Sequence, residues 1–350
     1  MDNKSFNKFY VLTGDLDFVV THWCRSNQFK SPSQKGFENL RSLFRKDLEQ
    51  VTAKTAEVTG RPLEVKFESR NKFPTLRKRE NDHGFWIALD DVYIPKADFR
   101  IELTRIYDNY GERELGRGVR PETNPDNLKI QIDNCRKTYQ KAGSPPSVVL
   151  ADDGTFTGDT VIEILNKLRE VGINVTELRM AFATFEGQVN IAKAIKRAGR
   201  RIIFEVGLSA TKDSIFDWVC ERDFFVGVPR SGRTVGTYDL DKVTPIPSTA
   251  PIVGFPYVKP WGPMTEGASI SIGQKEFSAR LTSYSIHLWQ EIEKLNKITL
   301  KVRQLPRFPG PPKPTEDILN MPLIDYLETI EKWTFGNELK LRRKNERIFS

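Results

Sequence analysis

Histidine and cysteine are the scarcest chemistry-bearing residues in this chain, three of each among 350. His22, His83 and His287 are too few and too scattered for a histidine-rich metal centre. Cys24, Cys135 and Cys220 form no CxxC pair, which argues against zinc and for reduced thiols in a cytoplasmic setting. No apolar run reaches the roughly 20 residues that cross a bilayer, and residues 1–10 lack the apolar core of a signal peptide. Neither sign of charge dominates. The 54 Lys and Arg against 46 Asp and Glu leave +8, which suits a phosphate-rich ligand or nucleic acid without demanding either. There is no internal repeat. With 38% of its residues hydrophobic, the chain has ample material for one large domain with additions, or for two.

The most informative stretch is Val148-Val149-Leu150-Ala151-Asp152-Asp153-Gly154-Thr155-Phe156-Thr157-Gly158-Asp159-Thr160. An apolar run of strand length, set off by Pro145-Pro146, ends in two acids and reads as a strand buried on both faces. Val161, Ile164, Leu165 and Leu168 then recur at i, i+3, i+4 and i+7, one face of a helix. Between them, Gly154 and Gly158 permit a tight turn and close approach of a ligand. Thr155, Thr157 and Thr160 add hydroxyls, and the helix start offers backbone N–H groups to an anion. Asp152 and Asp153 repel phosphate and suit ribose hydroxyls or a hydrated Mg²⁺. The unit reads as a site for a phosphorylated sugar.

The apolar run, Asp152-Asp153 and Thr157-Gly158-Asp159-Thr160 resemble the phosphoribosyl pyrophosphate (PRPP) motif of type I phosphoribosyltransferases. The resemblance covers about thirteen residues. It implies that Asp152 and Asp153 hold the ribose hydroxyls, directly or through water to Mg²⁺, and that Gly154, Thr155, Thr157, Gly158 and Thr160 cradle the 5′-phosphate. It further implies transfer of a phosphoribosyl group to a nitrogenous acceptor with release of pyrophosphate. A mobile loop in that family closes over the sugar, and residues 107–120, with Gly111, Gly116, Gly118, Arg113, Arg117 and Arg120, match it in position and composition.

Other readings remain open. Asp153-Gly154-Thr155 also matches half of the Asp-x-Asp-Gly-Thr start of a haloacid-dehalogenase-type phosphatase, but Ala151 stands where its nucleophile belongs. A non-catalytic nucleotide sensor on the same fold, working with a protein or nucleic-acid partner through the basic stretch Arg70, Lys72, Arg77, Lys78 and Arg79, is the second class. The bland alternative is a surface turn with solvated acids.

Elsewhere, alternating strand and helix patterns from 125 to 206 predict a mostly parallel sheet with crossover helices, an α/β fold. Strands are expected at 9–13, 17–23, 63–67, 85–92 and 99–107, and helices at 34–58, 277–300 and 318–333. Residues 217–233 mix aromatic and charged side chains. Arg230 and Arg233 are candidates to clamp pyrophosphate alongside Arg113 and Arg117, with Phe224 or Phe225 stacking on a base. The expected organisation is an α+β region at 1–84, a phosphoribosyltransferase-like core at 85–243, and a covering loop and helical extension at 244–350. A homo-oligomer is the expected assembly. The basic tail from Lys340 to Arg347 reads as solvated.

Overall fold

The computed structural model describes residues 8–59, 63–69, 73, 76–78, 82–90, 92–107, 114–119, 127–209, 215–235, 238–239, 244–245, 253–261, 273–310 and 314–336. The chain enters through β1 (Lys8–Gly14), α1 (Leu16–Ser26), α2 (Gln34–Thr59) and β2 (Leu63–Ser69). Next come β3 (Phe85–Ala88), β4 (Phe99–Arg100), β5 (Leu103–Tyr107) and β6 (Glu114–Val119). A regular alternation follows: α3 (Leu128–Lys141), β7 (Val148–Thr155), α4 (Asp159–Glu170), β8 (Glu177–Ala183), α5 (Phe185–Arg197) and β9 (Ile203–Ser209). Beyond it lie β10 (Ile215–Cys220), a short 3₁₀ turn at Glu221–Phe224, β11 (Arg233–Val235), β12 (Tyr238–Asp239), β13 (Thr244–Pro245), β14 (Val253–Phe255), and helices α6 (Gln274–Asn296), α7 (Glu316–Asn320) and α8 (Leu323–Phe335).

The alternation builds the α/β sheet that the sequence predicts. Five parallel strands lie in the order β4-β3-β7-β8-β9. Side chains alternate across it: Phe85, Ile87, Val148 and Leu150 pack under α3 and α4, while Trp86, Ala88, Val149 and Ala151 enter the larger core on the opposite face. Both faces are therefore covered, which is why β7 is a continuous apolar run rather than an alternating one. Val161, Ile164, Leu165 and Leu168 are the buried residues of α4, as their spacing predicts.

Three smaller sheets are described besides this one, the least of them the antiparallel pair β12/β13. β10-β1-β2 is parallel, with Lys8 opposite Ile215 and Lys8 opposite Leu63. β14-β11-β5-β6 is mixed and contains the antiparallel pair β5/β6. Contacts run between the regions expected at 1–84, 85–243 and 244–350. β1 pairs with β10, Phe44 packs against Phe224, Phe225 and Phe277, and the Tyr284 hydroxyl of α6 donates to Asp47 of α2 (2.6 Å).

Four expectations are corrected. Residues 17–23 lie in α1, because Leu16, Val19, Val20 and Cys24 share one buried helical face. The strand expected at 85–92 stops at Ala88, where Asp90 turns the backbone by accepting from the amides of Val92 (2.7 Å) and Tyr93 (3.3 Å). Residues 99–107 divide between two sheets: Ile101 still donates to Ala88, whereas Ile106 pairs with Thr234. The helix expected at 318–333 is broken at Met321-Pro322, since Pro322 starts α8 and Lys301 bridges to it.

Candidate functional site

The five-stranded sheet reverses its order between β3 and β7, the place where ligands collect at the carboxyl ends of an open parallel sheet. The pairing itself opens a crevice there. β3 follows β7 only to Ala88 opposite Ala151, plus one bond from the Leu89 amide to the Ala151 carbonyl (2.9 Å). β7 runs on along β8 to Thr155 opposite Ala183. Asp152, Asp153 and Gly154 are therefore strand residues with one edge released, not the start of a loop. Both acids are half-buried.

Asp152 is electrostatically strained. Asp152 is held well above the usual carboxylate range, first by burial, then by the neighbouring charges of Asp153 and Asp90. Its Oδ1 accepts from the Asp153 amide (2.9 Å). Three carboxylates at one sheet edge favour whatever brings positive charge or hydroxyl donors. Among the described residues, no group of three or more His, Cys, Asp or Glu side chains is set to hold a metal ion. Asp152 and Asp153 are the residues at this strand end that could hold a divalent cation.

The turn at 156–158 is clamped from outside. The Thr184 hydroxyl donates to the Phe156 carbonyl, and Asn190 Nδ2 donates to the Thr157 carbonyl (3.0 Å). Gly158 has φ +87°, and a Cβ there would meet Ile191 Cγ1 at 2.9 Å and the Gly187 carbonyl at 3.2 Å. Its glycine thus serves the turn and the packing of α5 rather than the approach of a ligand. Gly158→Ala is expected to lose about 2–4 kcal/mol in urea denaturation; a loss under about 0.5 kcal/mol would show that the turn can relax. Gly154 is different. A Cβ there would make ordinary contact with Phe182 at 3.6 Å, so the fold does not require glycine at that position.

Gly158 also lacks a side chain to cap α4, whereas Asn127 caps α3 and Thr184 caps α5. The N-terminus of α4 is left as an anion-favouring end. Thr157 is exposed at that end and donates to Asp159 (2.7 Å). Thr160 lies half-buried in the first turn. Thr155 is turned inward, with its methyl beside Gly187, which leaves Thr157 and Thr160 as the accessible hydroxyls.

The remaining candidates are placed as follows. Phe224 and Phe225 are fully buried against Phe44; neither presents a ring face to solvent, so the base-stacking expectation is corrected. Arg230 is buried and pairs with Glu102 (3.7 Å). Arg233 is buried with its guanidinium over the rings of Tyr107 (4.5 Å) and Tyr257 (5.7 Å). Arg117 falls in β6. Arg113, Arg70, Lys72, Arg79 and the tail from Lys340 to Arg347 lie outside the described residues. Ala151, where a phosphatase nucleophile would stand, is fully buried. All three cysteines are free, and no described helix is long and apolar enough to cross a membrane.

Sequence reasoning missed a second set of residues beside the acids. Arg222, buried after β10, reaches Asp15 Oδ2 (2.6 Å) and Asp90 Oδ2 (3.4 Å). The Tyr93 hydroxyl meets Thr13 Oγ1 (2.5 Å), Asp15 (3.4 Å) and Cys220 Sγ (3.6 Å). Cys220 Sγ lies 3.9 Å from Asp153 Oδ2. Burial outweighs Arg222 and pushes Asp15 up to about 7. A carboxyl raised in the folded state binds its proton more tightly there, so its contribution is lost as pH rises from the unfolded value near 4 to about 7. Urea midpoints are expected to fall between pH 5 and 7.5, and the fall should shrink in Asp15→Asn; an equal fall in both proteins would place the titrating group elsewhere. Spacing in the sequence carries no signal for this set, because its members come from four segments. No protein-family model matches the chain, and neither does a curated protein or a solved structure.

Proposed function

We propose that the chain binds PRPP, or a closely related phosphorylated ribose, with Mg²⁺ at the β3/β7 crevice. It transfers the phosphoribosyl group to a nitrogenous acceptor and releases pyrophosphate. One observation carries this reading: a single β-α unit presents paired carboxylates and a helix whose N-cap, Gly158, has no side chain to cap it, at the point where the parallel sheet reverses its order. Asp152 and Asp153 accept the ribose hydroxyls. The amides of α4, with Thr157 and Thr160, receive the 5′-phosphate. The displaced bond leaves positive charge on the sugar, which the acid pair stabilises while the site holds acceptor and leaving group in line. Mg²⁺, when bound, neutralises the departing pyrophosphate. Residues 107–120, with Arg113 and Arg117, are the candidate stretch to close over the site.

Calorimetry with PRPP, with and without Mg²⁺, tests binding; pyrophosphate release with a panel of purine and pyrimidine bases tests transfer. Absence of Mg²⁺-dependent PRPP binding removes the reading. Gly154→Ala is expected to fold as well as the parent or slightly better and to bind PRPP roughly tenfold more weakly, since its methyl would occupy ligand space. Equal affinity would show that no ligand approaches that backbone. A sensor without turnover is the second reading. It is favoured by Arg230 and Arg233 lying buried in a Glu102 pair and a tyrosine sandwich, and PRPP binding without pyrophosphate release from any base would identify it.

A further inference from the structure

The crevice is bordered by more polar structure than its ligand needs. The carboxyl ends of the small parallel sheet, Thr13 at the end of β1 with Asp15 just beyond it and Cys220 at the end of β10 with Arg222 just beyond it, converge on the loop that leaves β3. Arg222 grips Asp15 twice, through its backbone amide (3.0 Å) and its guanidinium (2.6 Å), and extends its other arm to Asp90 (3.4 Å). Asp90 in turn shapes the loop through the amides of Val92 and Tyr93. Tyr93 then binds back to Thr13 and contacts Cys220, whose sulfur faces Asp153. Thr13, Asp15, Asp90, Tyr93, Cys220 and Arg222 are all buried. Burying so many polar groups is unfavourable relative to the apolar packing that fills the same core nearby, even when they are paired.

We propose that Arg222 and Tyr93 are positioning residues, which use the small sheet as an abutment to set the β3 exit loop and Asp153 across the crevice. Arg222 acts because its planar fork spans two carboxylates on different sheets, which a lysine ammonium cannot do at once. Tyr93 acts because its hydroxyl touches both the β1 end, at Thr13 and Asp15, and Cys220.

Two measurements on the full-length protein decide this, and only the first rests on the phosphoribosyl reading. In Tyr93→Phe and Arg222→Lys, Mg²⁺-dependent PRPP affinity is expected to fall roughly 10- to 100-fold, the range for lost support of a binding group. Tyr326→Phe serves as the control, because it removes a buried hydroxyl bonded to the Pro309 carbonyl (3.1 Å) outside the network. It is expected to lower melting temperature without changing affinity. The second measurement is hydrogen–deuterium exchange of the free protein. Peptides covering 89–94 and 150–158 are expected to exchange faster in Tyr93→Phe and Arg222→Lys, with α5 unchanged. Unaltered exchange at 150–158 in both variants overturns the proposal, whether or not PRPP binds. Failure of the parent to bind PRPP, with the exchange response present, overturns only the ligand assignment.

Discussion

Asp152→Asn is expected to make the protein more stable at pH 8 and to weaken PRPP binding about 100-fold. Asparagine has the shape of the protonated acid, and protonation is what burial and the charges of Asp153 and Asp90 favour at this position. Relief of that repulsion is worth on the order of 1 kcal/mol. The same change deletes an acceptor for a ribose hydroxyl and support for Mg²⁺, so affinity should fall about 100-fold, or about 2.7 kcal/mol. Opposite movements of stability and affinity are the signature of a group retained for a ligand rather than for the fold. Calorimetry and urea denaturation at pH 8 measure both. Unchanged affinity would take Asp152 out of the site; a loss of stability would mean that its charge is already well satisfied in the free protein.

Arg222→Met is expected to show the largest loss of stability, about 3–5 kcal/mol at pH 8, because it leaves buried carboxylates without their cation. Asp15 is fully buried and Asp90 nearly so. The sign with pH follows directly. With the guanidinium gone, nothing offsets the burial that already raises Asp15, its protonated form is tolerated, and the deficit narrows toward pH 5. Adding Asp15→Asn and Asp90→Asn to Arg222→Met should recover much of the loss, since the charges vanish together. Urea denaturation of the single and triple variants at both pH values checks this. A single variant that loses under 1 kcal/mol at pH 8, flat with pH, would show that water or another cation reaches these acids.

The region from 127 to 209 was legible because its determinants are local. The apolar run of β7, the proline pair before it and the four-residue rhythm of α4 lie next to one another in the chain, and each element buries the face its own pattern specifies. The turn at 156–158 was legible for the same reason. Its glycines were not, since Gly158 is demanded by Ile191 and the Gly187 carbonyl of α5, and Gly154 by nothing in the fold.

What the amino-acid order determined by itself, then, is the strand-turn-helix unit that holds Asp152 and Asp153, and the parallel sheet around it. Only the tertiary structure brought Asp15 to Arg222, 207 positions away, and Asp90 to Arg222, 132 positions away. Phe99–Arg100 and Leu103–Tyr107 read as one strand yet serve two sheets. Periodicity reports which face of an element is buried; it carries no information about which distant element covers that face. A polar residue whose partner lies in another segment therefore looks in sequence like any solvated charge, and becomes a site only when packing closes water out around the pair.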